Sequence, residues 1–510
     1  MIRDDEFTSQ KAPFDMIVVG GGINGAGIAA EAVNRRLSVG LYEAKDFACA
    51  TSSASSKLIH GGLRYLEYGE FRLVKEALNE REILLTKAAH LIKPMRFRMP
   101  HLPHLRAKWQ IKAGLFLYDH LAKRCLLAPS LQLKVTPADG LSKHIDYVFE
   151  YSDCWIDDSR LVIENLKLAQ CHGAEVRNYC RVTKAERVDQ LWRVTLFDQR
   201  TGCEHIRYCR VLVNATGPWA AEFLNQSTPE SSPHTMRLIK GSHLIVPRIY
   251  PDEHAYVLQN QDKRIVFVIP YLDRFSMIGT TDIPFDGDPY QAMTSEDEIN
   301  YLLSVTNQFF NRQLTPDDVI DHFSGVRPLF NDGEGESVSA QAVSRDYDLA
   351  LQTSADNPPL LTVFGGKLTT YRKLSLNVLE SLAPYFPNAY TEKKDPPLLG
   401  SQGYQKEVLL HQLASQLPYL SSQTRQRLVD QYGTEVWNVV KDAQSSDRTI
   451  VADLYPFELD YLVTHEWAVT VEDIVKRRTK LHFDCDSQAL AALASALIEG
   501  QRSQNIPPSI

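Results

Sequence analysis

Phe14–Glu43 reads FDMIVVGGGINGAGIAAEAVNRRLSVGLYE and decides the fold. A short apolar strand leads into the turn Gly20-x-Gly22-x-x-Gly25, a helix follows, and a second strand ends at Glu43. This glycine spacing is typical of a turn where the backbone and a helix N-terminus approach the pyrophosphate of a dinucleotide. A carboxylate at the position of Glu43 accepts hydrogen bonds from an adenosine ribose. The stretch therefore predicts a Rossmann-like nucleotide-binding unit, for which FAD and NAD are both candidates.

The length and composition indicate a folded protein with more than one lobe. The chain has 510 residues, of which 44% are hydrophobic and 23% are charged. A single hydrophobic core rarely grows beyond about 300 residues. No run approaches the roughly eighteen uninterrupted apolar residues of a membrane span, and Met1–Lys11 lacks the apolar centre of a signal peptide. We therefore expect a cytoplasmic protein.

The cysteines and the net charge exclude other classes of protein. The chain has 8 cysteines but no CxxC pair, which predicts reduced thiols and no metal site. The net charge of −8 argues against a nucleic-acid-binding protein.

One segment of this acidic chain is strongly basic. Between Lys93 and Arg124, eight cations accompany a single acid, Asp119. Aromatic and aliphatic residues lie among these cations, in part at helical spacing. This pattern fits either an amphipathic segment on an anionic membrane surface or a core helix with a solvated basic face. The residues leave both interpretations open.

The predicted secondary structure changes several times along the rest of the chain. Hydroxyl residues make Thr51–Lys57 a loop, and residues 155–225 return to an α/β rhythm. Residues 236–330 are β-rich, with a strong strand predicted over Ile265–Pro270. After Pro396 the pattern becomes helical, which predicts a separate C-terminal domain.

Eight blocks of sequence follow one another in a fixed order. They are the fingerprint Gly20–Glu43, Ala50–Tyr65, Asn214–Trp219, Lys240–His243, Ile278–Asp282, Ser324–Leu329, Ser344–Tyr347 and Gly365–Thr370. Together they resemble the FAD-dependent glycerol-3-phosphate dehydrogenases of the aerobic, membrane-associated bacterial type, which are D-amino-acid-oxidase-like flavoproteins. The resemblance covers nearly the whole chain and includes Tyr461–Trp467 and Arg477–Lys480 in the helical tail.

The resemblance implies an α/β fold in which a Rossmann-like FAD-binding domain is interleaved with a β-rich substrate domain. A helical C-terminal domain follows. The FAD-binding domain is expected to comprise residues 14–92, 155–235 and 340–390. The substrate-binding and membrane-facing region is expected to comprise residues 93–154 and 236–339, and the helical domain residues 396–510.

The resemblance also implies an activity. It predicts non-covalent FAD, oxidation of sn-glycerol 3-phosphate to dihydroxyacetone phosphate with hydride transfer to FAD, and electron delivery to ubiquinone or another membrane quinone. Because members of the family are peripheral membrane enzymes, it favours the membrane interpretation of the basic segment. The expected location is the cytoplasmic face of the inner membrane, and a homodimer is compatible with it.

The blocks of the resemblance supply the expected cofactor contacts. These contacts come from the glycine fingerprint, the hydroxyl-rich loop, the turn that follows Asn214 and the glycine turn near residue 366. The predicted residues are Gly20, Gly22, Asn24, Gly25, Glu43, Thr51, Ser52, Ser53, Lys57, Leu58, His60, Gly61, Ala215, Gly217, Gly366, Lys367, Leu368 and Thr369.

A phosphate monoester needs guanidinium groups, which bind it through bidentate, charge-assisted hydrogen bonds. By their position in the blocks, Arg64, Arg327 and Arg345 are the candidates. Tyr65 is expected to donate to the same phosphate. Each of these arginines, taken alone, also fits a surface ion pair.

Oxidation of the alcohol requires a base that accepts the C2 hydroxyl proton as the hydride leaves. His60 and His243 are candidates through a lowered or near-neutral pKa. In an alternative, Arg327 polarises the hydroxyl and water or another group takes the proton. Lys367 is expected to stabilise the negative charge of reduced flavin.

Three other functions compete with this interpretation. A soluble glycerol-3-phosphate oxidase passes its electrons to oxygen, and the basic segment argues against it. A related flavin amine or amino-acid oxidase needs a carboxylate clamp and an apolar side-chain pocket. A non-enzymatic flavin sensor or assembly factor would not need several phosphate-binding arginines.

Overall fold

The computed structural model describes residues 12–102, 107–123, 126–262, 264–331, 347–354, 357–389 and 395–503. The strands are β1 Phe14–Val19, β2 Val39–Tyr42, β3 Leu58–Ile59, β4 Ile92–Pro100, β5 Leu131–Lys134, β6 Tyr147–Ile156, β7 Glu175–Arg177, β8 Cys180–Val188, β9 Leu191–Asp198, β10 Cys203–Asn214, β11 Thr235–Pro247, β12 Ala255–Gln259, β13 Ile265–Tyr271, β14 Phe275–Gly279, β15 Ile283–Pro284, β16 Asp321–Asn331, β17 Tyr347–Ser354 and β18 Asn357–Gly365. The α-helices are α1 Ile23–Asn34, α2 Phe71–Lys87, α3 Lys108–His120, α4 Asp158–Cys171, α5 Ala220–Ser227, α6 Glu296–Phe309, α7 Tyr371–Ser381, α8 Lys406–Gln416, α9 Ser422–Tyr432, α10 Val436–Val439, α11 Pro456–His465 and α12 Ser487–Ser503.

The first sheet is built around the quoted stretch. Its strands follow the order β17-β18-β10-β1-β2-β7, and β9 and β8 extend it beside β10. The neighbours from β18 to β7 are all parallel. Parallel strands are covered on both faces and therefore consist of continuous apolar residues, as in Met16–Val19, which is buried throughout. Helices α1, α4 and α7 cover one of these faces.

The second sheet has strand order β15-β11-β14-β13-β12-β4-β6-β3, with β16 beside β11 and β5 beside β6. Side chains alternate between its two faces because successive residues of a strand point in opposite directions. Leu244 packs with helix α6, whereas its neighbour Ile245 packs with α2 and α3.

A third core lies in the C-terminal part, where helices α8–α12 pack around buried residues such as Leu428 and Leu462. The architecture of mixed sheets and a helical C-terminal domain confirms the predicted fold class. The proposed domain boundaries stay predictions. No helix in the described part of the chain combines the length and the hydropathy needed to cross a bilayer.

The structure corrects the interpretation of the basic segment. Its first part is strand β4, which lies between β12 and β6 inside the second sheet. Arg96 and Arg98 both donate to the carboxylate of Glu150, with N–O distances of 2.9 and 2.7 Å. Both guanidinium groups thus form ion pairs within the sheet. Helix α3 carries the amphipathic character, and Arg106 and Arg124 lie outside the described residues.

Candidate active site

One cavity of about 1270 Å³ is lined by residues of both sheets. Its floor lies at the carboxyl ends of the parallel strands β1, β2, β10 and β18, where Gly20, Glu43, Ala215 and Gly365 contribute to the wall. Ligands of open α/β sheets bind at this edge. The cavity therefore begins where the glycine fingerprint predicts a nucleotide.

The glycine turn is packed as tightly as its spacing implies. A Cβ on Gly25 would lie 1.9 Å from the carbonyl oxygen of Gly20, so the turn closes only with glycine at this position. Gly25 is not among the residues that line the cavity, and its contact with the cofactor stays a prediction. Ser52 Oγ accepts from the backbone N–H of Ile23 at 3.0 Å and ties the hydroxyl-rich loop to the start of α1.

Glu43 holds the same turn from the next strand. Its carboxylate accepts hydrogen bonds from the backbone N–H groups of Gly21 at 2.7 Å and Lys45 at 2.8 Å. Burial raises the pKa of Glu43, and these N–H groups oppose that rise. The carboxylate is thus fixed in the cavity wall, and its remaining lone pairs can accept from ribose hydroxyls.

The hydrogen bonds of Asn24 show whether the cavity is suited to a bound cofactor. Its Nδ2 donates to the carbonyl of Gly365 at 3.1 Å, whereas its buried Oδ1 has no partner among the described residues. A buried acceptor without a donor costs about 1–3 kcal/mol. Asn24 lines the cavity beside the glycine turn, so a donor of a bound dinucleotide would satisfy this oxygen. The residues present fit such a cofactor.

The hydroxyl-rich loop spans the two sheets. Thr51 and Ser52 line the cavity, and Thr51 Oγ1 donates to the carbonyl of Val326 at 2.6 Å. Lys57, in contrast, is buried and its Nζ lies 2.7 Å from Asp158 Oδ1. A buried ammonium needs a carboxylate partner, and this partner comes from a distant helix.

Lys57 Nζ also donates to the carbonyl of Ser53 at 3.0 Å, so it fastens the loop from behind. Neither Lys57 nor Ser53 belongs to the cavity wall. Their contacts with the cofactor stay predictions, and the structure shows a structural role for both residues. The other predicted contacts do line the cavity, namely Leu58, His60, Gly61, Gly217, Gly366, Lys367, Leu368 and Thr369.

The antiparallel ribbon of β11 and β16 forms the opposite wall. Gly241 pairs with Gly325, and His243 pairs with Phe323 two residues further along. A Cβ on Gly241 would lie 3.2 Å from Arg327 Nη2 and 2.5 Å from Thr280 Oγ1. Glycines inside strands mark places where another group approaches closely. Gly241 thus makes room for Arg327 in the cavity wall, whereas a Cβ on Gly325 would lie 2.8 Å from the Cβ of Ala54.

Arg327 is held by the segment that follows β14. Its guanidinium forms an ion pair with Asp282 and donates to the carbonyl of Thr281 at 3.4 Å. The sequence analysis quoted Asp282 within a block but assigned it no role. An acidic residue just after a strand of the β-rich region was the signal for an arginine partner.

His243 is buried within the same ribbon. Its Nε2 lies 2.9 Å from Ser56 Oγ, and its ring stacks on Phe323 with centroids 4.9 Å apart. Burial, with the charges of Lys57 and Arg327, lowers the pKa of His243 to about 3. The imidazole is therefore neutral. Its Nδ1 has no partner in the described part of the chain.

The remaining predicted site residues converge from two segments. Lys367 Nζ lies 4.7 Å from the ring centroid of Tyr65, and Arg64 donates to the Tyr68 hydroxyl at 3.3 Å. His60 packs edge-on against Phe267, with centroids 6.2 Å apart. All of these side chains line the cavity, and all except Tyr68 and Phe267 were predicted as site residues. Arg345 lies outside the described residues.

At the nucleotide end of the cavity the sequence analysis missed an aromatic pair. Trp219 stacks on Tyr290 with centroids 4.1 Å apart, and Lys45 Nζ lies 3.6 Å from the centroid of Tyr290. Trp219 and Tyr290 line the cavity. Trp219 ends a quoted block, but no local pattern indicates its contact with Tyr290, which lies in a short 3-10 helix far along the chain.

Comparisons with known proteins agree with this geometry. Residues 15–372 match the family of FAD dependent oxidoreductases, and residues 392–499 match the C-terminal domain of alpha-glycerophosphate oxidase. The protein is thus an FAD-dependent oxidoreductase, and the predicted cofactor is confirmed.

The glycerol-3-phosphate dehydrogenase of Pseudomonas aeruginosa is 51% identical, and the alignment covers 92% of each chain. The aerobic glycerol-3-phosphate dehydrogenase of Escherichia coli is 48% identical over 95% of this chain and 97% of its own. A glycerol-3-phosphate dehydrogenase from Bacillus halodurans, solved with FAD, superposes with a TM-score of 0.74 at 26% identity, covering 98% of this chain and 94% of its own. The chain belongs to the family of FAD-dependent glycerol-3-phosphate dehydrogenases, which confirms the resemblance.

Proposed function

We propose that the protein oxidises sn-glycerol 3-phosphate to dihydroxyacetone phosphate and passes the electrons to a membrane quinone. The observation that carries the first part is the position of Arg64, Lys367 and Arg327 in the wall of the cavity that begins at the nucleotide turn. Cations confined to one cavity favour a dianionic substrate. The names of the close relatives support the same substrate class.

Arg64, Tyr65 and Lys367 are the described groups that we assign to the phosphate. The guanidinium and the ammonium balance its charge, and the phenol supplies a further hydrogen bond. The proximity of Lys367 to the ring of Tyr65 supports a shared site. Arg345 remains a predicted further ligand.

FAD, when bound, supplies the acceptor for the hydride that leaves C2. We assign to His243 the role of receiving the C2 hydroxyl proton, because its imidazole is neutral and lies in the cavity wall. Arg327 orients the hydroxyl and stabilises the developing negative charge on oxygen. Asp282 keeps the guanidinium in place.

The electron acceptor is proposed from a different part of the wall. Leu66, Tyr68, Phe71 and Leu117 line the cavity with apolar surface, and Tyr68, Phe71 and Leu117 are also exposed to solvent. An apolar part of the cavity wall that reaches the protein surface suits a lipid-soluble quinone better than a polar acceptor.

Helix α3, which contributes Leu117, supports peripheral attachment to a membrane. Trp109 is 69% exposed and Phe116 is 63% exposed, and Lys112 lies on the same helix. Exposed aromatic side chains among lysines are typical of helices that lie in the interface of anionic membranes. Location on the cytoplasmic face of the inner membrane and assembly as a homodimer remain predictions.

The substrate is tested by steady-state turnover with a soluble quinone analogue. We expect sn-glycerol 3-phosphate to give the highest kcat/KM among a panel that includes its enantiomer, glycerol and D-erythritol 1-phosphate. The last compound is included because a D-erythritol 1-phosphate dehydrogenase from Brucella abortus is 43% identical over 91% of this chain and 94% of its own. A higher kcat/KM for the four-carbon ester would reassign the substrate within the same site.

The membrane surface is tested by replacing Trp109 and Phe116 with serine. The double variant is expected to bind anionic vesicles several-fold more weakly and to reduce a soluble dye at the normal rate, because neither residue lines the cavity. Val408→Ser, which removes an apolar side chain that is 46% exposed on α8, is the matched control. Equal sedimentation of all three proteins would contradict the assignment.

A further inference from the structure

The loop that links β2 to the hydroxyl-rich loop supports the glycine turn from its outer side. The N–H of Ala48 donates to the carbonyl of Gly21 at 3.1 Å. The ring of Phe47 packs so closely on Gly21 that an added Cβ would lie 2.4 Å from it. Any displacement of this loop, residues 44–48, therefore displaces the phosphate-binding turn.

Asp46, in the middle of this loop, is bound by two arginines of the C-terminal domain. Arg478 donates to both carboxylate oxygens at 2.8 Å, and Arg477 Nε donates to Oδ2 at 2.6 Å. Both arginines belong to the π-helical turn Asp473–Arg478. Asn178, in the turn between β7 and β8, also donates to Asp46 through Nδ2 at 3.0 Å. We call Asp46, Arg477 and Arg478 the Asp46 cluster.

The Asp46 cluster is fully internal. Asp46 is 1% exposed, and Arg478 is completely buried. The arginines lower the pKa of Asp46 to about 2 against the opposing effect of burial. Removing one partner of such a buried pair leaves an uncompensated charge. The loop and the π-helical turn are therefore held as one unit.

A second contact acts on the same loop. Trp467, also in the C-terminal domain, packs edge-on against Phe47 with ring centroids 5.2 Å apart, and its carbonyl accepts from Asn178 at 2.8 Å. None of the residues of the Asp46 cluster lines the cavity. Their influence on a bound cofactor passes through the loop.

We infer that the C-terminal domain controls FAD retention, with Arg477 and Arg478 as positioning residues that hold the phosphate-binding turn through Asp46. The helical domain is thus part of the cofactor site, although it contributes no residue to the described cavity wall. This role goes beyond the oxidation reaction and does not depend on which phosphate ester is the substrate.

The alternative is that the cluster only attaches the C-terminal domain. A second buried ion pair across the same interface separates the two roles. Arg160 on α4 donates to both carboxylate oxygens of Glu466, one at 2.9 Å, and both side chains are completely buried. The Glu466 side chain does not contact loop 44–48. Arg478 reaches Glu466 only at its backbone carbonyl, at 2.8 and 3.0 Å, and Glu466→Gln leaves that carbonyl in place. Glu466→Gln is therefore the matched control for Arg478→Met.

The experiment measures FAD release from the purified holoenzyme variants as the increase in flavin fluorescence after dilution, together with thermal unfolding. Arg478→Met is expected to release FAD at least about tenfold faster than wild type, which is the range for losing a charged, buried hydrogen bond. Glu466→Gln is expected to unfold at a lower temperature but to release FAD within about twofold of the wild-type rate.

Two further variants keep the test decisive. If Arg478→Met does not fold, Arg477→Gln removes one arginine and keeps the bidentate pair, and it is expected to accelerate FAD release to a smaller extent. In an Arg478→Met protein that folds, Asp46 keeps only Arg477 and Asn178 as partners. Adding Asp46→Asn removes its under-compensated charge and is expected to restore part of the retention. Equal acceleration by Glu466→Gln, or no acceleration in either arginine variant, would overturn the inference.

Discussion

The two walls of the cavity are built in opposite ways. The nucleotide wall comes mainly from one continuous stretch, Phe14–Glu43, in which strand, turn and helix follow one another. The opposite wall is a ribbon whose strands, β11 and β16, are about seventy residues apart in the chain. The first wall tolerates little change because its atoms are packed in a single turn. The second wall depends on side chains that reach across the ribbon, and its substitutions should affect the reaction before they affect FAD.

The largest effect is expected in the nucleotide wall. Gly25→Val would place its side chain against the Gly20 carbonyl, because even a Cβ would lie 1.9 Å from that oxygen. The purified protein is expected to contain no FAD or not to fold, as measured by the flavin-to-protein absorbance ratio. Gly500→Ala, where nothing lies within 4 Å of the added Cβ, should keep full flavin content. A Gly25→Val enzyme that retains FAD would contradict the statement that the nucleotide wall tolerates little change.

The next largest effect concerns His243. Because loss of a general base lowers rates by roughly 10²- to 10⁴-fold, His243→Asn is expected to lower kcat by at least about a hundredfold while FAD is retained. His322→Asn, an exposed histidine on β16, is the control and should leave kcat unchanged.

The pH profile of kcat/KM provides a second test of His243 as the base. The pKa of His243 is lowered to about 3, so the neutral base is present at neutral pH and is lost only as the pH falls through that value. We expect kcat/KM to show no enzyme limb between about pH 5 and about pH 9, apart from the second ionisation of the substrate phosphate near about pH 6. A limb near neutral pH that disappears in His243→Asn would contradict this pKa.

A smaller effect is expected at Arg327. Loss of a charge-assisted hydrogen bond costs about 1.5–3 kcal/mol, so Arg327→Met should lower kcat/KM by roughly tenfold to hundredfold. FAD content should stay normal, because Arg327 belongs to the ribbon wall. Arg312→Met, at a half-exposed ion pair with Asp318, serves as the control. Loss of FAD in Arg327→Met would show that the ribbon wall also determines cofactor binding, which contradicts the comparison.

The smallest effect repeats the glycine experiment in the ribbon. In Gly241→Ala the new methyl group would lie 3.2 Å from Arg327 Nη2, and it has to displace Thr280 Oγ1. Such overpacking costs about 1 kcal/mol or more because neighbouring atoms must shift. If the shift moves Arg327, kcat/KM is expected to fall roughly fivefold while the FAD content stays normal. A loss as complete as in Gly25→Val would mean that the ribbon is as rigid as the glycine turn.

Sequence reasoning succeeded where a function depends on neighbouring residues. The strand, turn and helix of the fingerprint are local, and strand β13, Ile265–Tyr271, closely matches its predicted bounds. Helix α6 begins at Glu296 because Ser295 and Glu298 form a capping box, which is also a local signal.

Sequence reasoning failed where a side chain is paired with a residue far away in the chain. Nothing near Lys57 indicates its buried ion pair with Asp158. Asp282 indicates that a cationic partner is present, but nothing near it identifies that partner as Arg327. The basic segment was misinterpreted at β4, although polar and apolar residues alternate from Arg96 to Met99 as in a strand. The many cations of the segment obscure this alternation.

The most direct test of the account is an anaerobic visible spectrum of the purified enzyme before and after sn-glycerol 3-phosphate is added. The account predicts a yellow protein whose flavin absorbance is bleached by this ester but not by glycerol or D-amino acids. A flavin that stays oxidised with the ester, in a protein that carries FAD, would contradict the proposed reaction.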